Sequence, residues 1–148
     1  MDAQITVAEQ AGLVFVPPDA LQPQWGWLKP RLELVAKRSG ARWIPEDVYA
    51  AVKSGAASLF IVERPDAERL GVLVVQPIRD FDAKILSVWV LHNEGKEDII
   101  GKCEDDLVRM ARQMGARRIG FTSARRGWGR RLERFGYREV GRIYEKEI

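Results

Sequence analysis

The 148-residue chain is 46% apolar and 30% charged, the balance of an ordinary soluble globular domain, and its net charge is only +3. No apolar run is long enough to span a bilayer, and the start, Met1-Asp2-Ala3-Gln4, lacks the basic and apolar parts of a secretion signal. A single cysteine, Cys103, excludes an internal disulfide, and no metal-type ligand spacing occurs, so one cytoplasmic domain over residues 1–148 is expected.

In chain order, residues 11–16 read as a short strand stopped by Pro17-Pro18. Pro23 and Pro30 argue against a long helix through that segment, which places a helix at about 30–39 with Leu32, Val35 and Ala36 on its apolar face. A second helix starts at Pro45, with Glu46 and Asp47 in its first turn, and is closed by Gly55. The period then shortens: 58–63, 69–76 and 84–92 are strands, and the third is apolar on both faces, as a strand inside a covered sheet must be. From 98 to 114, Ile99, Cys103, Leu107, Met110 and Met114 form one helical stripe, a core face in which Cys103 acts as a small hydrophobe. A strand at 117–122, a short helix at about 127–135 ended by Gly136, and a last strand at 137–148 complete the order β-α-α-β-β-β-α-β-α-β. The fold class is therefore α/β: a mixed, mostly antiparallel sheet with helices on both faces.

That order resembles the GNAT superfamily of N-acetyltransferases. The residues that carry the likeness most specifically are Gly115-Ala116-Arg117-Arg118-Ile119 and Leu132-Glu133-Arg134-Phe135-Gly136-Tyr137-Arg138-Glu139-Val140, which look like the family's closing motif. Arg126-Gly127-Trp128, the run Trp-Ile-Pro-Glu-Asp-Val at 43–48 and Ser-Leu-Phe-Ile-Val at 58–62 further resemble small GNAT-like proteins encoded in phage and prophage gene clusters. The order of elements covers most of the chain; the residue motifs cover about its last third.

The resemblance implies acetyl-CoA as a possible cofactor and no metal. Its oxyanion and pantetheine contacts would come from the backbone at Trp89, Val90 and Leu91. The pyrophosphate loop would fall at 91–101, where Gly95, Lys96 and Gly101 stand without the family spacing and Glu94, Glu97 and Asp98 bring negative charge. Ser123 stands where the family often carries Asn, while Arg125 and Arg126 lie near the expected phosphate or adenosine end. The family's acidic tyrosine, four residues before the Gly of the Gly-Tyr step, is here Leu132, with Tyr49 and Tyr144 as unplaced substitutes. His92, the only histidine, and Glu94 follow the central strand and are the candidate catalytic bases.

Charge is uneven: residues 117–148 hold ten Lys or Arg against four Glu, while residues 1–116 hold fourteen against seventeen. A basic end of this kind serves as a solvated face, or docks an acidic protein surface such as a phage structural protein; nucleic acid is disfavoured for want of aromatic partners, and no membrane is implied. Two functions stay open. One is an acyl-CoA-dependent N-acetyltransferase with a degenerate loop. The other is a catalytically silent GNAT-like protein, a virion or assembly component, found in the host cytoplasm or in the particle.

Overall fold

In the computed structural model, which describes residues 12–95, 98–122 and 128–148, β1 (Gly12–Val16) enters a 3-10 turn at Pro18–Ala20. Two helices follow, α1 (Leu21–Ser39) and α2 (Pro45–Ser54), and then three strands, β2 (Ser58–Glu63), β3 (Arg69–Asp80) and β4 (Ala83–Asn93). The chain continues through α3 (Ile99–Gln113), β5 (Arg118–Phe121) and α4 (Trp128–Glu133). The sheet order is β1-β2-β3-β4-β5, antiparallel throughout except that β5 runs parallel to β4. β4 is an interior strand, as its two apolar faces required.

Both faces of the sheet are covered, and alternation along the strands assigns each side chain to one of them. Val72 and Val74 of β3 join Leu59, Ile61, Leu28, Leu32, Val48 and Val52 in the core beneath α1 and α2. Leu73 and Val75 join Leu86, Val88, Cys103, Leu107 and Ala111 in the core beneath α3. The α3 stripe is thus a core face, as its spacing predicted. Cys103 is completely buried there, and desolvation pushes its thiol up to about 12, which makes it an inert packing residue.

α1 is longer than the prolines suggested. It starts at Leu21, so Pro23 falls in the first turn, where a backbone N–H has no intrahelical partner to lose. Pro30 lies inside the helix, and one turn of disrupted bonding there is outweighed by Leu21, Leu28 and Leu32, each with no exposed surface. The Arg31 guanidinium also donates to the Trp27 carbonyl at 2.7 Å.

β3 also outruns its expected end at Gln76. It continues to Asp80 and pairs with Ala83 across a two-residue turn, Phe81-Asp82. Phe81 sits there at φ 40° with its ring fully in solvent. An L-residue in that region is strained unless its side chain bonds locally, as asparagine does. Phe81→Asn is therefore expected to stabilise the protein by about 1 kcal/mol, read as a rise of about 2–4 °C in Tm in a thermal melt; an unchanged or lower Tm refutes the strain argument.

The closing strand expected at 137–148 does not form within the single chain. Those residues make no ladder with β5, and Val140, Ile143, Tyr144 and Ile148 are 86%, 78%, 85% and 116% exposed. Among the described residues the segment is held at its start, and further on by an exposed ion pair of Glu145 with Arg42. The Tyr137 ring meets Phe121 edge-on at 5.1 Å between centroids, and its hydroxyl donates to Glu104 at 2.9 Å.

Candidate active site

The site begins with one extra residue in β4. Val74 of β3 is opposite Val90, but Val75 is opposite Val88, so Trp89 is inserted as a β-bulge. Two consequences follow from that count.

The first is an opening. β5 pairs with β4 only from Ile85↔Arg118 to Val88↔Phe121, and the parallel ladder stops where the bulge begins. Beyond Val88 the two strands part, and a cleft of about 570 Å³ opens, lined among others by Trp43, Trp89, Leu91, His92 and Phe121. The backbone of β4 after Val88 has no strand beside it on that side, among the described residues, which leaves its polar groups available to a ligand.

The second is a change of face. Leu86 and Val88 point to the α3 core, yet Val90 belongs to the α1/α2 core. Strict alternation would send residue 90, and residue 92 after it, to the α3 side. The bulge reverses the parity, so His92 comes up on the side of α1.

There His92 meets a built network. Its Nε2 lies 2.8 Å from Glu94 Oε2, and its surface is only 6% exposed. Arg31 of α1 grips the same carboxylate with both arms of its fork, Nε to Oε2 at 2.9 Å and Nη2 to Oε1 at 2.6 Å. The guanidinium of Arg31 in turn lies 4.0 Å from the centre of the Trp27 ring, and Arg69 lies 4.7 Å from it. The Arg31 hydrogen bond holds the Glu94 carboxyl below its ordinary 4.5, helped by His92 and opposed by partial burial. An ionised carboxylate only accepts, so Nε2 of neutral His92 carries the proton and the lone pair is left on Nδ1.

Gly71 makes this arrangement possible. It pairs with Asn93, and a Cβ on it would stand 2.1 Å from the His92 carbonyl oxygen and 2.7 Å from Cδ1 of Ile99. Only glycine lets β3, β4 and the first turn of α3 approach so closely.

The sequence-derived residues are distributed as follows. His92 and Glu94 are brought together, and Trp89, Leu91 and Gly95 line the cleft. Val90 is buried in the core, so only its backbone is available. Lys96, Ser123, Arg125 and Arg126 lie outside the described residues, as does Glu97. Asp98 is the N-cap of α3 and accepts from Ile100 N–H at 3.1 Å, so a carboxylate of the chain itself occupies that helix terminus. Neither substitute tyrosine is at the site: Tyr49 packs edge-on against Trp25 at 4.8 Å, and Tyr144 is on the exposed tail. Tyr137 has its hydroxyl pKa raised by burial and by Glu104, far from proton donation at neutral pH. Sequence reasoning missed Arg31, 63 positions from Glu94, and Trp43, whose ring meets Trp89 at 5.9 Å. Among the described residues no three His, Cys, Asp or Glu side chains group to hold a metal ion, and no helix is long and apolar enough to cross a membrane.

Solved structures of similar fold align over nearly the whole chain. The ribosomal-protein-alanine N-acetyltransferase of Brucella melitensis biovar Abortus 2308 matches with a TM-score of 0.68 at 14% identity, covering 93% of this chain and 99% of that one. The fold is that of the GNAT acetyltransferases. An aminoglycoside acetyltransferase from an uncultured soil metagenomic sample shares this acetyltransferase fold with a TM-score of 0.65 at 12% identity, covering 94% and 99% of the two chains. So does a transcriptional regulator from Bacillus halodurans C-125, with a TM-score of 0.68 at 15% identity and coverage of 94% and 100%. No protein-family model matches the sequence, and neither does any curated protein. At such identities the acetyltransferase fold is shared by proteins with different named roles, so function must be argued from the cleft.

Proposed function

We propose that the protein is an acyl-CoA-dependent N-acyltransferase, and the parting of β4 from β5 at the Trp89 bulge is the observation that carries this reading. The pantetheine arm of an acyl-CoA is extended and rich in amides, and it fits an open cleft bordered by unpaired strand backbone. Residues 89–91 would hold it through their main chain. When bound, the thioester supplies an activated acyl group.

The chain's own residues then manage a proton. Attack by an amine requires that it lose one, and His92, with its lone pair on Nδ1, is the acceptor lining the cleft. Glu94 fixes the imidazole by its bond to Nε2 and offsets the charge that His92 gains. Arg31 keeps Glu94 ionised and in place. Trp43 and Trp89 shield the reacting end from water.

One observation favours a second reading, a silent binding module. Asp98 already satisfies the start of α3, where a pyrophosphate would otherwise find free N–H groups, and Leu132 replaces a proton donor. A role in a phage particle or its assembly belongs to this second reading and rests on the sequence resemblance alone. The readings separate in one calorimetric titration. Acetyl-CoA is expected to bind with a Kd in the micromolar range, and the absence of heat at millimolar cofactor overturns the enzymatic proposal.

A further inference from the structure

Two unmet needs lie close together in the single chain. The outer edge of β5 has no strand beside it, among the described residues, although the segment Arg-Ile-Gly-Phe contains no proline and no lysine to discourage pairing. Its one charge, Arg118, is turned to the β3–β4 hairpin, 3.2 Å from Asp82 and 3.5 Å from Asp80. A few residues away, 138–148 expose Val140, Ile143, Tyr144 and Ile148 to solvent with no ladder of their own.

The exit from α4 is pinned at Tyr137 by Phe121 and Glu104, at the C-terminal end of β5. Eleven residues then remain, more than enough to match a four-residue strand. In extended backbone the even-numbered residues share one face, where Val140, Tyr144 and Ile148 alternate with Arg142 and Lys146, and Ile143 falls on the other. Three basic and three acidic residues leave the segment neutral, so a second copy meets no repulsion. Among the described residues the segment is tied to the rest of the chain only by the ion pair of Glu145 with Arg42, both more than half exposed, a contact of little worth.

We propose that residues 138–148 of one chain add as a sixth strand to the β5 edge of a second copy, and that the exchange is reciprocal across a two-fold axis. Main-chain hydrogen bonds supply the pairing and the apolar side chains lose their exposure, both on surfaces that a two-fold dimer presents twice. The added strand also lies beside the wall of the cleft that Phe121 forms. This inference does not depend on the chemistry of the cleft.

Light scattering of the full chain during gel filtration at micromolar concentration is expected to give twice the 16.8 kDa of one copy. Val140→Asp with Tyr144→Asp should raise the dimer dissociation constant at least 100-fold with the far-ultraviolet circular dichroism unchanged. Hydrogen exchange at residues 118–121 should be slow in the wild type and fast in that variant. If the double variant does not fold, deletion of 138–148 serves in its place. A monomeric wild type, a monomer whose own tail is protected, or a dimer that survives loss of the tail each overturns the proposal.

Discussion

Gly71→Ala is expected to be the most damaging glycine-to-alanine change among the described residues. The new carbon would stand 2.1 Å from the His92 carbonyl oxygen, a backbone atom that moves only if β4 moves. Overpacking against rigid surroundings costs about 1–3 kcal/mol and occasionally more, and this contact belongs at the upper end. Set against a total stability of about 5–15 kcal/mol, the loss should appear as a large fall in the urea midpoint with little change in slope. Gly26→Ala provides the opposite sign. That glycine is inside α1 with nothing within 4 Å of its missing Cβ, so alanine should add about 0.5–1 kcal/mol. Equal effects at the two positions would refute the close-approach argument.

His92→Ala should lower kcat by about 10²–10⁴-fold, measured with acetyl-CoA and a panel of amine acceptors, while calorimetry finds its affinity for acetyl-CoA little changed. A purely structural role for the imidazole would weaken the cofactor and the fold together. An unchanged kcat removes His92 from the mechanism. Arg31→Ala tests the support behind it through pH. The native Glu94 carboxyl is depressed below 4.5, so the stability it contributes is complete above pH 4.5 and is lost as pH falls through its native value. Arg31→Ala removes most of that depression. The stability difference between wild type and variant should be greatest near neutrality and shrink on acidification; a difference independent of pH contradicts the assignment. A third of the Glu94 side chain is in contact with solvent, where screening weakens such pairs.

Much of the architecture was legible because it is written in periodicity. The α3 stripe through Cys103 and Leu107 and the two-faced β4 each place a large apolar surface, and burial of that surface is the dominant driving force. The prolines misled by acting locally. Pro23 and Pro30 do weaken helical bonding, but three leucines buried over the same span decide the outcome. The closing segment failed differently. Its Val, Ile and Tyr residues suit a strand although they do not alternate strictly, and a strand needs a partner, which is a property of neighbours and not of a sequence window. Within the site, His92 and Glu94 were legible as chemistry at a strand end. Arg31 and Trp43 were not, since only the packing of α1 and the following loop on the sheet brings them to β4. Nor does any pattern within β4 announce that Trp89 is the supernumerary residue.

That single supernumerary residue makes the site digital. Because the insertion is one whole residue, its loss would rejoin a regular ladder with Val90 still opposite Val74 and His92 still opposite Val72, so the imidazole would stay under α1 while the irregularity at which β4 parts from β5 disappeared. A lineage cannot drift through half of that change. The presence or absence of one codon in this stretch would therefore separate relatives with an open cleft beside this strand from those that keep only the scaffold.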